Sequence, residues 1–168
     1  MKRAMATSLG WSTSTYRDVV IGPVPEYPLD YAETRSVSAD IETAKQYNAT
    51  YGQALRMKDN TPYKYDQKDI AVFTTDQEIQ IGMQSLMDTI LQRRAELSAA
   101  ETSYALAKAK KESSDRLLQQ GMIGRAQYEG AQIECIQKEN AWKKAELNYR
   151  QAVFNYEWAM QGVMTLGS

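Results

Sequence analysis

The chain has 168 residues, about one domain, and its 43% apolar and 24% charged content belongs to a folded chain rather than a disordered one. A net charge of −1 supplies no overall cationic field for nucleic acid or anionic lipid. The single cysteine, Cys135, excludes an internal disulfide, and the lack of histidine removes the commonest general base and most zinc and haem sites.

Residues 1–28 read as an extended linker. "IGPVPEYP" carries Pro23, Pro25 and Pro28, which fix φ and remove backbone donors. The opening "MKRAMATSLGW" has a basic start but no apolar run, so it is not a complete signal peptide, and both ends read as cut. A helix is expected over 29–57. Val37, Ile41, Ala44, Tyr51 and Leu55 fall at steps of three, four or seven, which lines one face. Residues 58–74 form a connector, broken by Pro62.

From 75 to 163 the pattern becomes heptad. Residues 79, 83, 86, 90, 93, 97, 100, 104, 107, 111, 114 and 118 alternate steps of four and three, and nine of the twelve are apolar or tyrosine. The second arm repeats this from Tyr128 to Val163, with Lys138 as its one break. Tyr128, Cys135, Trp142, Tyr149 and Tyr156 hold one position of that arm, and alanines hold most of the other. Small residues let helix axes approach while large ones fill the space beside them. Leu97 and Tyr104 of the first arm, with Trp142, Tyr149 and Tyr156 of the second, are the expected packing seam. The fold class is therefore all-α: a long antiparallel helical hairpin of coiled-coil type, one shorter packed helix and an extended N-terminal segment.

Between the arms sits "GMIGR". Gly121 can adopt the left-handed conformation that ends a helix, so the turn falls near 121–124. Met122 and Ile123 either offer an apolar contact to a partner or fold back as a cap on the first helix. Arg125 is either a partner contact or a solvated first-turn charge. Leu91, Leu106 and Ala109, with Ile133, Leu147, Phe154 and Met160, lie off the seam. They form either a broad core stripe or a second face, covered by the helix at 29–57 or by a neighbouring subunit. Arg93, Lys111 and Lys138 lie on the seams, where they either fix register or face water inside an assembly. Cys135, also on the seam, reads as a small buried apolar residue.

At this turn the sequence resembles the TolC family of outer-membrane efflux factors. "GMIGRAQYEGAQ" (121–132) aligns without a gap to the family's "GLISRLDYLNAQ", matching at Gly121, Ile123, Arg125, Tyr128, Ala131 and Gln132. "KENAWKKAELNYRQAVFNYEWAMQGV" looks like the family's second arm, and residues 24–55 are similar, more weakly, to its inter-repeat linker and helix. The resemblance implies the second of two repeats of an export conduit. In that family three chains, each with two such repeats, form a twelve-helix tunnel, and the hairpin tip (Gly121, Met122, Ile123, Gly124, Arg125 and Tyr128) would dock on a membrane-fusion adaptor. It further implies the cell envelope as location, on the extracytoplasmic side, and self-association as a trimer or hexamer.

Two departures stand out. Gln127, Glu129 and Gly130 replace residues of the family's "D-Y-L-N", so the polar contacts of its aspartate do not carry over. Residues 58–74 lack the alternating strands of 9–11 residues a membrane barrel needs. Either the barrel strands have been removed or the chain is a barrel-less relative, as in a Gram-positive bacterium. Nor does any segment reach the roughly 20 apolar residues of a spanning helix.

Two other classes remain: a coiled-coil scaffold or spacer without a conduit, and a nucleic-acid-binding hairpin. Over 75–163 there are eleven Lys or Arg and twelve Asp or Glu, a balance that argues against tracking phosphates. No enzyme, cofactor or metal function is expected, because no phosphate-cradling glycine loop or carboxylate constellation is present.

Overall fold

A computed structural model describes residues 25–57 and 67–164. The described residues form a 3-10 turn, Tyr31–Thr34, followed by α1 (Val37–Tyr47), α2 (Ala49–Arg56), α3 (Gln67–Gln119) and α4 (Arg125–Met160). No strand occurs among them. Helices α3 and α4 pack antiparallel as a hairpin, with α1 and α2 folded against its open end. At 1.5 Å per residue α3 is about 80 Å long and α4 about 54 Å.

The single helix expected over 29–57 is three pieces. The break is at Asn48, whose backbone is extended (φ −73°, ψ 117°). Its N–H still closes α1 on the Ala44 carbonyl at 2.9 Å, and its side-chain oxygen accepts the Tyr51 N–H at 2.9 Å to start α2. Asparagine offers the backbone this local partner and so favours helix ends over helix interiors. At the other boundary, residues 67–74 belong to α3 rather than to a connector. Residues 58–66 of the connector expected over 58–74, and residues 1–24 of the linker expected over 1–28, lie outside the described residues.

The heptad seam is the hairpin interface. Every first-arm position from Ile79 to Leu118 is buried or half-buried. On the second arm the seam holds except at Lys138 and at Val163, which are exposed, the latter beyond the end of α4. Burial is deepest at the open end, where Ile79, Met83, Ile90, Tyr149, Val153 and Tyr156 are fully enclosed. Each such side chain contributes on the order of 1.5–3 kcal/mol of transfer free energy. Towards the turn the interface thins to Leu97, Ala107, Ala131 and Cys135, with Tyr104 stacked on Trp142 (centroids 5.5 Å apart, planes 11°).

Part of the off-seam face is covered. Val153 is buried in the same core as Ala44 of α1, and Met160 is half-buried beside Arg35. Leu91, Leu106, Ile133, Leu147 and Phe154 remain exposed. The short helices reach only the open end of the hairpin, and these five side chains lie beyond or beside their footprint.

Candidate functional site

The turn is built from backbone chemistry. Gly121 has φ +71°, its N–H bonds the Leu118 carbonyl at 2.9 Å, and the Met122 N–H bonds the Leu117 carbonyl at 2.8 Å. This is the Schellman termination, which satisfies the last carbonyls of α3 and favours glycine. Gly124 is the extended residue before α4 (φ −79°, ψ 158°) and supplies no side-chain cap.

The termination aims Met122 into water, with 69% of its surface exposed. Ile123 and Tyr128 are half-buried, while Gly121, Gly124 and Arg125 are exposed. Met122 therefore does not fold back as a cap. Arg125 pairs with Glu129 one turn along its own helix at 3.0 Å. The tip is a small apolar knob with a cation beside it.

Of the seam charges, Arg93 bonds Glu96 on its own helix at 2.6 Å, Lys111 is half-buried, and Lys138 is exposed. An ion pair that does cross the hairpin is Lys110–Glu134, at 2.6 Å. Cys135 is buried at the interface, as its seam position suggests.

The open end carries a polar clamp not foreseen from the sequence. Tyr149 donates to the Pro28 carbonyl at 2.5 Å and Tyr27 to Glu157 at 2.9 Å. Tyr156, fully buried, donates to Asp40 at 2.8 Å, and Arg35 Nε lies 3.3 Å from the same carboxylate oxygen. Tyr31 stands edge-on to both Tyr27 and Tyr156. Arg94–Glu33 and Lys45–Asp76 ion pairs tie the same segment to α3. The only visible cue is the density of tyrosines in 27–31 and 149–156.

Burial pushes Tyr31 up to about 12, against the ordinary tyrosine value of 10.0. Burial, then the bond to Glu157, pushes Tyr27 up to about 12 as well. Tyr149 is raised by burial, and Tyr156 is raised by burial and then by the Asp40 bond. A folded pKa above the unfolded one contributes stability that is complete below the unfolded value and lost as pH rises through the folded value. The clamp should therefore hold up to about pH 10 and release between about pH 10 and 12. Tyrosinate absorbance and helical circular dichroism followed in one titration check this. Full tyrosine ionisation near pH 10 with helicity and near-ultraviolet signal intact would contradict it.

Between α3 and α4 near the open end lies a groove of about 680 Å³, lined chiefly by Ile81, Gly82, Phe154, Trp158, Val163 and Met164. Among the described residues no group of three or more His, Cys, Asp or Glu side chains is placed to hold a metal ion. No helix among them is long and apolar enough to cross a membrane.

Comparison with protein-family models, characterised proteins and solved structures finds no match. The functional reading therefore rests on the residues and on the geometry they adopt.

Proposed function

We propose that the chain is one repeat, the second, of a TolC-like export or efflux conduit of the cell envelope. Its helices would form part of a tunnel wall, and its hairpin tip would dock on a membrane-fusion adaptor. The observation that supports this best is a hairpin that stays apolar where it meets nothing. Met122 is exposed at the tip, and Leu91, Leu106, Ile133 and Leu147 are exposed along its length. These side chains are open to a partner without any rearrangement of the hairpin.

The action would be passive. Helices packed side by side form the wall, and rearrangement of the hairpins opens or closes the passage. The tip prediction is specific. Met122→Asp with Ile123→Asp should leave helicity nearly unchanged, because the turn is held by backbone bonds, and should abolish adaptor binding. A pull-down or titration with the adaptor measures this, and unchanged binding would defeat the docking role.

A second reading, a coiled-coil scaffold or spacer without a conduit, is favoured by one observation. Helices α1 and α2 fold back on the hairpin of their own chain and cover Val153 without help from a neighbour. A monomeric spacer needs only that. The two readings part on whether copies of the chain associate.

A further inference from the structure

We infer that the groove between α3 and α4 near the open end is a binding site for a single-chain amphiphilic cation, of the long-chain alkylammonium class. The site needs one copy of the chain, so it stands apart from the conduit reading above.

The sequence builds the groove from two helix faces. On α3, Glu78, Ile81, Gly82 and Ser85 recur at steps of three and four and so share a face. On α4, Phe154, Asn155 and Trp158 do the same. Gly82 contributes no side chain, and the Met164 methyl rests where its Cβ would stand. The residues after α4 can therefore cross the groove without filling it. The Phe154 and Trp158 rings lie 5.6 Å apart, tilted by 56°, and form one wall. Ile81, Phe154, Trp158 and Val163 are 41–67% exposed. The groove holds about 680 Å³, within the range of small-molecule sites, about 300–1,000 Å³.

Its charge selects the ligand. Among the described residues Glu78 is the one charged side chain of the lining, and it has no hydrogen-bond or ion-pair partner there. The carboxylates nearby are engaged, Asp76 with Lys45 and Glu157 with Tyr27. The groove is thus apolar except for one free anion. Its shape is elongated. Tyr104 stands level with Trp142, and the same register puts Trp158 level with Asp88, about 15 Å along α3 from Glu78. A compact cation cannot touch both the carboxylate and the rings. A cationic head at Glu78, with an extended chain of about twelve carbons, spans that distance. The chain then runs past Ile81 to the indole. A fatty carboxylate of equal length would set its own charge beside Glu78, which the site disfavours.

The test is calorimetric titration of the chain with dodecyltrimethylammonium below its micelle concentration, with laurate as the anion of matched length. The expected result is one site that takes the cation at least about fivefold tighter than laurate at low salt, the preference shrinking in high salt. Glu78→Gln should weaken the cation about three- to fivefold and leave laurate no weaker. Phe154→Ala should weaken both. Both side chains are exposed, so neither change disturbs the core. Equal binding of the two amphiphiles, a stoichiometry that keeps climbing with concentration, or a cation affinity indifferent to Glu78→Gln would overturn the inference. So would a groove closed by a second copy: no binding to the unaltered chain, and a light-scattering mass that falls on Phe154→Asp.

Discussion

Replacing Gly162 by alanine is expected to cost about 2–5 kcal/mol of stability, from two independent causes. Gly162 has φ +83°, and holding an L-residue there costs about 1–2 kcal/mol. It is the left-handed residue that ends α4, with the Val163 N–H on the Trp158 carbonyl at 3.1 Å. An added Cβ would also stand 2.3 Å from the Tyr47 carbonyl oxygen and 2.8 Å from the Asn48 nitrogen. Those are backbone atoms at the elbow between α1 and α2, so the elbow itself must move, which costs about 1–3 kcal/mol. Gly121→Ala is the control. It ends α3 in the same way at φ +71°, but an added Cβ there meets nothing within 4 Å. Its expected cost is the conformational part alone, about 1–2 kcal/mol. Urea unfolding of both variants checks the difference. Equal losses would mean that the close approach at the elbow contributes nothing.

The second large effect is at Tyr156. Its side chain is fully buried at the junction of α1, α4 and the 3-10 turn, edge-on to Tyr31 at 6.3 Å. Tyr156→Ala should cost about 3–5 kcal/mol through lost burial and the cavity left behind. Tyr156→Phe keeps the volume but strips Asp40 of its hydroxyl donor. That leaves a carboxylate in a residue only 8% exposed, with Arg35 beside it, and should cost about 1–3 kcal/mol. Tyr156→Phe combined with Asp40→Asn should cost less than the sum of the two, because the second change removes the charge that the first strands. Thermal unfolding of the three variants supplies the cycle. Strict additivity would mean that the hydroxyl–carboxylate bond adds no stability.

Both sites lie in the part of the fold least legible from the sequence. The hairpin seam could be read because facing positions of a coiled coil recur at fixed steps within one helix. Leu97, Tyr149 and Tyr156 are buried and Tyr104 stacks on Trp142. Gly121 could be read because a glycine after a long helical run supplies the left-handed residue the backbone needs. The clamp could not. Tyr156 meets Asp40, and Gly162 meets Tyr47, across more than a hundred residues, and no local period encodes such a meeting.

The break at Asn48 was concealed by arithmetic. Ala44 and Tyr51 are seven apart and suit one continuous helix, although an asparagine between them caps the second of two. At the tip, the sequence marks the turn but leaves the direction of Met122 open. That direction follows from the Schellman bonds, which only the folded backbone displays.

A chain that is one repeat of a conduit, as proposed, would associate with its own copies. The most direct test is the solution mass of the chain by light scattering after gel filtration, across a concentration series. A stable trimer or hexamer of the 19.0 kDa chain is the expected result. A mass of 19.0 kDa at every concentration would contradict it and leave a self-contained hairpin whose short helices cover all the surface it needs to bury.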